Sequence, residues 1–382
     1  MADELLIAAG PGEWRAAWVE DDEAVELYVE RGDTKTAGSR HLGRVVQVVP
    51  ALDAALVDIG DERPGFLPLR DLPEGVKAEE GARIIVEVRR EAWQDKAPRL
   101  TAKIDESHFI TPVDLSPPAQ LFPAPGLAAA LALRLPAMPP RIITDDVAPL
   151  AELRKTFPDA GIRHRPMGDW PIDLGALIDT AISQSLALDR GGAIHIEETR
   201  GATMIDVDTG TPARGSSARA ALAANLAAAR LIARQLRLRN IGGAVVIDFV
   251  GLDRRDHRER LRQVLEAALA ADPRKPKLLG WTRLGHLELM RPRRHRSLAD
   301  AMLAPGSRAK RPVAIAYEAL RGLQREARAN PAANWRLSVS REVEAALRGA
   351  ASDALRALEN HLGRTITIQV LEGREGFDIQ PL

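Results

Sequence analysis

Three aspartates in otherwise apolar segments are the residues best suited to chemistry in this chain of 382 residues: Asp206 and Asp208 in "TMIDVDTG", and Asp248 in "GGAVVIDFVGL". Side chains alternate along a strand, so Met204, Asp206 and Asp208 share one face, and Val246, Asp248 and Val250 share another. If the two strands are sheet neighbours, Asp206 and Asp248 meet. Carboxylates that close repel unless a proton or a cation lies between them. Oxygen donors without a cysteine or a spaced histidine set favour Mg²⁺, with Mn²⁺ as the alternative. Such an ion polarises phosphoryl oxygens and generates a nucleophile from water. The plainer possibility is that each aspartate caps a loop or pairs with an arginine.

The elements that must position them are legible. "IHIEETRGATMIDVDTG" reads as a hairpin turning at Thr199–Arg200–Gly201. An amphipathic run from Ser217 to Arg239 predicts a helix that stops at Asn240 and Gly242-Gly243, directly before the Asp248 strand. "RDHRERLRQVLEAALAAD" predicts another helix, and "PKLLGWTRLGHLELM" a strand and turn. Strand, helix, strand, helix is an α/β pattern. Residues 1–110 read as short strands of a small barrel or sandwich, and 111–165 as a Pro/Ala-rich connector with one short helix at "GLAAALALRL". The α/β core is expected over 166–303, its first helix at "IDLGALIDTAISQSLA", and a small α+β domain over 304–382.

Charge is unevenly spread although the formal net charge is zero. Residues 1–110 carry 14 Lys/Arg against 23 Asp/Glu, whereas residues 230–330 carry 23 against 10. That asymmetry points to a polyanion-binding surface in the later half, set against an Arg-rich composition on solvated helix faces. Arg237 and Arg239, just before the Asp248 strand, are the best-placed phosphate ligands, while "RRDHRERLR" and "RPRRHR" fit either reading. The eight histidines show no metal-ligand spacing. Without cysteine there is neither disulfide nor thiolate zinc site. "MADELLIAAGPGEW" is acidic with a short apolar run, unlike an export signal, and no segment has the length of a membrane span. A cytoplasmic location is expected.

"GATMIDVDTG", "NLAAARLIARQLRLRNIGGAVVIDFV" and "RLGHLELMR" together resemble the catalytic core of the bacterial ribonuclease E/G family. The resemblance implies a multidomain α/β fold: an N-terminal S1-type OB-fold domain at about 38–104, a central RNase H-like/DNase I-like core, and a small C-terminal α+β domain. It implies a Mg²⁺-dependent endoribonuclease acting on single-stranded RNA and leaving 5′-phosphate and 3′-hydroxyl ends, in rRNA or mRNA processing or decay. By the same resemblance Asp206 and Asp248 hold the metal. Asp208 stands where the family usually has an Asn that orients the scissile phosphate. Asn225 is retained from the family pattern, and the resemblance implies that it binds RNA. Phe66 in "PGFLPL" matches an RNA-stacking aromatic, whereas Leu56 stands where another Phe is common.

Two further departures concern assembly and substrate ends. The family's Cys-Pro-x-Cys zinc link between protomers cannot exist without cysteine, so no zinc is expected and any oligomer must use another interface. The Arg-Thr-Ala-Gly motif by which longer members sense a 5′-monophosphate is missing between Thr111 and Trp170. A catalytically inactive RNA-binding protein on the same scaffold is the alternative reading, and a DNA nuclease a third.

Overall fold

The computed structural model describes residues 3–32, 38–61, 63–90, 97–104, 115–122, 126–189, 191–210, 218–252, 254–293, 295–373 and 375–382. Ser217, Arg294, part of "RGDTKTAG" and the start of the 111–165 connector lie outside them. The fold is mixed α/β, with several sheets and an OB-like barrel. Two compact units separate: Glu30–Arg134, and Met1–Val29 together with Leu135–Leu382.

In the smaller unit, five strands close on themselves. Arg40–Val49 pairs with both Ala54–Asp58 and Arg83–Arg90, and Gly65–Pro68 and Arg99–Thr101 complete the ring. Val45, Ala55, Val57, Leu67, Val86, Val88 and Leu100 alternate inward and fill it. Gly43 is required where two strands press together, because a Cβ there would sit 2.4 Å from Val57 Cγ1.

The larger unit takes up both ends of the chain, so residues 1–110 are not one unit. Glu4–Gly10, Glu13–Glu20 and Glu23–Arg31 form a sheet with Arg141–Thr144 and Gly161–His164, in the order Gly161–His164, Arg141–Thr144, Glu4–Gly10, Glu13–Glu20, Glu23–Arg31. The stretch read as a connector therefore contributes two parallel strands, which only a distant partner could reveal. The helix expected at "GLAAALALRL" spans Leu127–Ala132. "IDLGALIDTAISQSLA" divides: Asp173 caps a helix over Leu174–Ala181, and Ser185–Ala187 is an edge strand. Towards the C-terminus, the helix Pro312–Ala329 packs on a three-stranded sheet of Thr367–Val370, Trp335–Val339 and Phe377–Pro381, with helices at Arg341–Arg348 and Ser352–Leu362.

A six-stranded sheet stands between these parts in sequence. Its order is Ser185–Ala187, Ala193–Glu198, Thr203–Asp208, Gly243–Asp248, Leu287–Arg291, Lys277–Trp281. The helix Ala218–Leu238 is the crossover that lets Thr203–Asp208 and Gly243–Asp248 run parallel. It ends where Asn240 takes the left-handed conformation, with Asn240 N–H donating to Arg237 O and Ile241 N–H to Leu236 O. Asn240 rather than a glycine is thus the stop. Gly242 serves a different need, since a Cβ there would lie 2.9 Å from the Arg293 backbone. The helices Ala218–Leu238 and Arg255–Leu269 cover one face of the sheet, burying Ile205, Val207, Val245, Ile247, Leu287 and Leu289. Each such aliphatic side chain contributes about 1.5–3 kcal/mol when fully buried. Among the described residues no helix is long and apolar enough to cross a membrane.

Candidate active site

Alternation on these strands sorts side chains cleanly. Thr203, Ile205 and Val207 are buried, whereas Met204, Asp206 and Asp208 are exposed on the opposite face. Val245 and Ile247 point to the helices, and Asp248 away from them with its side chain 56% exposed. Asp206 and Asp248 are direct register partners across the parallel pair. Neighbouring strands lie ~4.8 Å apart, so the two carboxylates project side by side from one face. Both sit at the C-terminal ends of their strands, where open α/β sheets bind ligands.

Among the described residues, Asp206 has no hydrogen-bond or ion-pair partner. Asp248 has one neighbour of opposite potential, His286, whose Nε2 lies 3.7 Å from Oδ2. No group of three or more His, Asp or Glu side chains among the described residues is arranged as a metal cage. Two adjacent, solvated carboxylates with no lysine or arginine partner among the described residues suit Mg²⁺, which binds through one or two carboxylates while keeping waters and substrate phosphate oxygens as its remaining ligands. Asp208 lies two residues further along the same face, and its Oδ1 accepts a hydrogen bond of 2.8 Å from Gly210 N–H. It shapes the strand exit and adds negative charge beside the pair.

The remaining residues singled out by sequence are placed otherwise. Asn225 is completely buried; its Nδ2 donates to Val250 O at 2.7 Å, and its Oδ1 accepts from Val250 N–H at 3.1 Å. It pins the chain just beyond Asp248 and is not available to RNA. Arg237 is buried against acidic side chains: its Nε donates to Glu26 at 3.0 Å and both terminal nitrogens to Glu20. Arg239, also buried, donates from Nε to Gln235 Oε1 at 2.7 Å and from Nη1 to Ser183 O at 2.7 Å. Neither guanidinium faces the aspartates' open surface, which corrects the expectation that they bind phosphate. Both sit at the end of a helix whose last turn is packed, so a local count of basic residues misjudged them.

Other basic stretches divide similarly. Arg291 is 1% exposed and makes a two-pronged ion pair with Asp272, at 2.7 and 3.3 Å. Arg293 donates twice to Gly242 O. On the helix Arg255–Leu269, Arg262 pairs with Glu259 and Glu266, and Arg258 lies over the Trp281 ring at 5.3 Å. In the barrel, Phe66 is half-buried, lies outside the core cluster, and pairs across strands with Leu56 on one side and Arg99 on the other. The Arg99 guanidinium is taken up by Asp71 at 3.4 Å, which leaves Phe66 as the ring of this strand pair.

Sequence reasoning passed over two residues beside the aspartates. His195 is the register partner of Asp206, and His286 neighbours Asp248. Each interrupts an apolar strand pattern at an outward position ("AIHIEE", "GHLEL"), a signal that acquires meaning only when the strand order is known.

Comparison with known proteins converges on this sheet. Residues 171–294 match the sequence model of the Ribonuclease E/G family. Similarity extends over the chain: it is 24% identical over 490 aligned positions to Ribonuclease G of Salmonella typhimurium, covering 99% of both chains, and 24% identical over 488 positions to Ribonuclease G of Escherichia coli K12, again covering 99% of each. With Ribonuclease E of Synechocystis it shares 27% identity over 378 positions, covering 74% of this chain and 56% of that one. The alignments to the two ribonucleases G exceed the length of this chain by roughly a hundred positions, so both relatives carry segments that this chain does not.

Proposed function

We propose that this chain, similar to the Ribonuclease E/G family model over residues 171–294 and to ribonucleases G over its length, is an endoribonuclease of that family hydrolysing phosphodiester bonds within single-stranded RNA. The observation that carries this reading is the register pairing of Asp206 with Asp248 on the uncovered face of the sheet. These two carboxylates would hold a divalent cation, Mg²⁺ by the chemistry of all-oxygen donors, with Mn²⁺ also accommodated. When bound, that ion supplies charge stabilisation at the phosphoryl group and activation of a water molecule. By holding that cation, Asp206 and Asp248 would set where the reacting phosphate lies. Asp208 raises the local negative charge and orients groups approaching from the strand end. Asn225 acts at one remove, holding the Val250 backbone two residues beyond Asp248.

With water attacking phosphorus and the P–O3′ bond breaking, the proposed products carry 5′-phosphate and 3′-hydroxyl ends. The OB-like barrel is read as the S1-type RNA-holding domain, with Phe66 stacking a base and contributing about 1–3 kcal/mol. Single-stranded regions of rRNA and mRNA are the proposed substrates, and a cytoplasmic setting fits them. Any oligomer would form without a cysteine–zinc link. A binding-only protein is not favoured, since RNA affinity alone would be opposed by two exposed carboxylates in register facing the polyanion.

The test is cleavage of an end-labelled, A/U-rich single-stranded RNA with and without Mg²⁺, comparing wild type with Asp206→Asn and Asp248→Asn. Metal-dependent internal cuts that vanish in both variants are expected, at similar rates on 5′-monophosphate and 5′-hydroxyl RNA. RNA bound but left intact by the wild type under all conditions would sink the enzyme reading.

A further inference from the structure

The aspartate pair belongs to a longer pattern. Register places Ser185 opposite His195, His195 opposite Asp206, and Asp206 opposite Asp248. The antiparallel partner strand pairs Ile247 with Leu287, so the next position brings Asp248 beside His286, and their side chains lie 3.7 Å apart. Beyond it, Thr282 N–H donates to His286 O at 2.8 Å, and Thr282 Oγ1 accepts from His286 N–H. A single row across the whole sheet therefore reads Ser185, His195, Asp206, Asp248, His286, Thr282. Every member is polar, although the neighbouring outward positions include Met204, Val246 and Met290.

We propose that this row is the track of the RNA backbone, crossing the strands at right angles, with His195 and His286 holding the phosphates on either side of the one being cut. The inference rests on the reading of Asp206 and Asp248 as the cleavage centre. Three strand spacings separate the histidines, about 14 Å, a distance that an extended single strand covers in two internucleotide steps. Each imidazole carries an N–H donor suited to a phosphate oxygen. His195 Nδ1 shares a 2.8 Å hydrogen bond with Ser185 Oγ, which fixes the ring and leaves Nε2 for an outside partner. His286 is held by the turn closed between Thr282 and Gly285. In the adjacent outward row Met204, 40% exposed, and Val246 lie between Glu197 and Glu288, so the deformable apolar surface on which a base can rest borders the track beside the aspartates. The histidines are positioning residues: they act on where the strand lies, not on the reacting atoms.

Once the main cut in an A/U-rich oligoribonucleotide is mapped, a neutral methylphosphonate is placed at the linkage immediately 5′ or immediately 3′ to it. Each substrate is assayed with wild type, His195→Ala, His286→Ala and His286→Gln, together with melting temperatures. On unmodified RNA each alanine variant is expected to raise KM roughly tenfold, the scale of a hydrogen bond to a charged group, with kcat changed less and the melting temperature unmoved. His286→Gln, which keeps an N–H donor, recovers part of the loss. The decisive result is non-additivity: the methylphosphonate that matches a given histidine costs that alanine variant nothing more, while the opposite one costs its full amount, and the two histidines match opposite sides. Full additivity on both sides, or an unchanged KM in both alanine variants, overturns the track. Cleavage of unmodified RNA by wild type reports on the nuclease reading separately. Should that fail, a methylphosphonate moved through every linkage of the oligoribonucleotide, read as binding affinity with wild type and each alanine variant, still decides the track.

Discussion

The exposed aspartate pair and the buried arginine clusters carry charge in opposite ways. Arg237 with Glu20 and Glu26 and Arg291 with Asp272 are closed sets, each guanidinium matched by acceptors of this chain. Asp206 and Asp248 are the reverse: two like charges in register, open to solvent, with only the His286 imidazole near Asp248 and no guanidinium or ammonium matched to them among the described residues. Ionic groups that stabilise a fold are compensated within it. Those that serve a ligand are left uncompensated, at some cost to the free protein.

This contrast can be broken most directly at the aspartates. Replacing either Asp206 or Asp248 by Asn should lower RNA cleavage by a factor on the order of 10³ or more, since several kcal/mol of metal-derived stabilisation disappear. Thermal unfolding of the same variants should show an unchanged or higher melting temperature, because removing one charge relieves repulsion. A clear drop instead would mean that the pair is structural. The mirror experiment is Asp272→Asn, which leaves Arg291 buried without its counter-charge. Denaturant titration should then record a loss of about 3–5 kcal/mol, with cleavage per folded molecule retained.

Smaller effects sharpen the comparison. Asn225→Ala strips partners from a backbone N–H and C=O at Val250 and should cost about 1–3 kcal/mol of stability. Calorimetric titration with Mg²⁺ or Mn²⁺ should also show weaker binding, through the loosened Asp248 strand end. Phe66→Ala should weaken single-stranded RNA binding by roughly 1–3 kcal/mol without moving the melting temperature, and Leu56→Phe should tighten it. At the bottom of the scale, Arg254→Ala removes only a solvent-exposed pair with Asp256. It should leave the melting temperature and the cleavage rate alone, and change the salt dependence of RNA binding by no more than one phosphate contact.

What the sequence determined by itself follows from local physics. Strand alternation put Asp206, Asp208 and Met204 on one face, the amphipathic run marked the crossover helix, and the "MIDVD" and "VVIDF" segments named the aspartates before any neighbour was known. Those are properties of a few consecutive residues, set by backbone sterics and side-chain period. Pairing and register are not local, and they settled the rest. Only the fold could show that Arg141–Thr144 belongs beside Glu4–Gly10, or that Arg237 and Arg239 are consumed by Glu20, Glu26 and Gln235. Only strand order could align His195 and His286 with the aspartates, residues separated by as many as 91 positions along the chain. A residue's type and spacing state what chemistry it can do. Whether its charge is spent inside the protein or left for a ligand depends on which distant strands and helices come to lie against it.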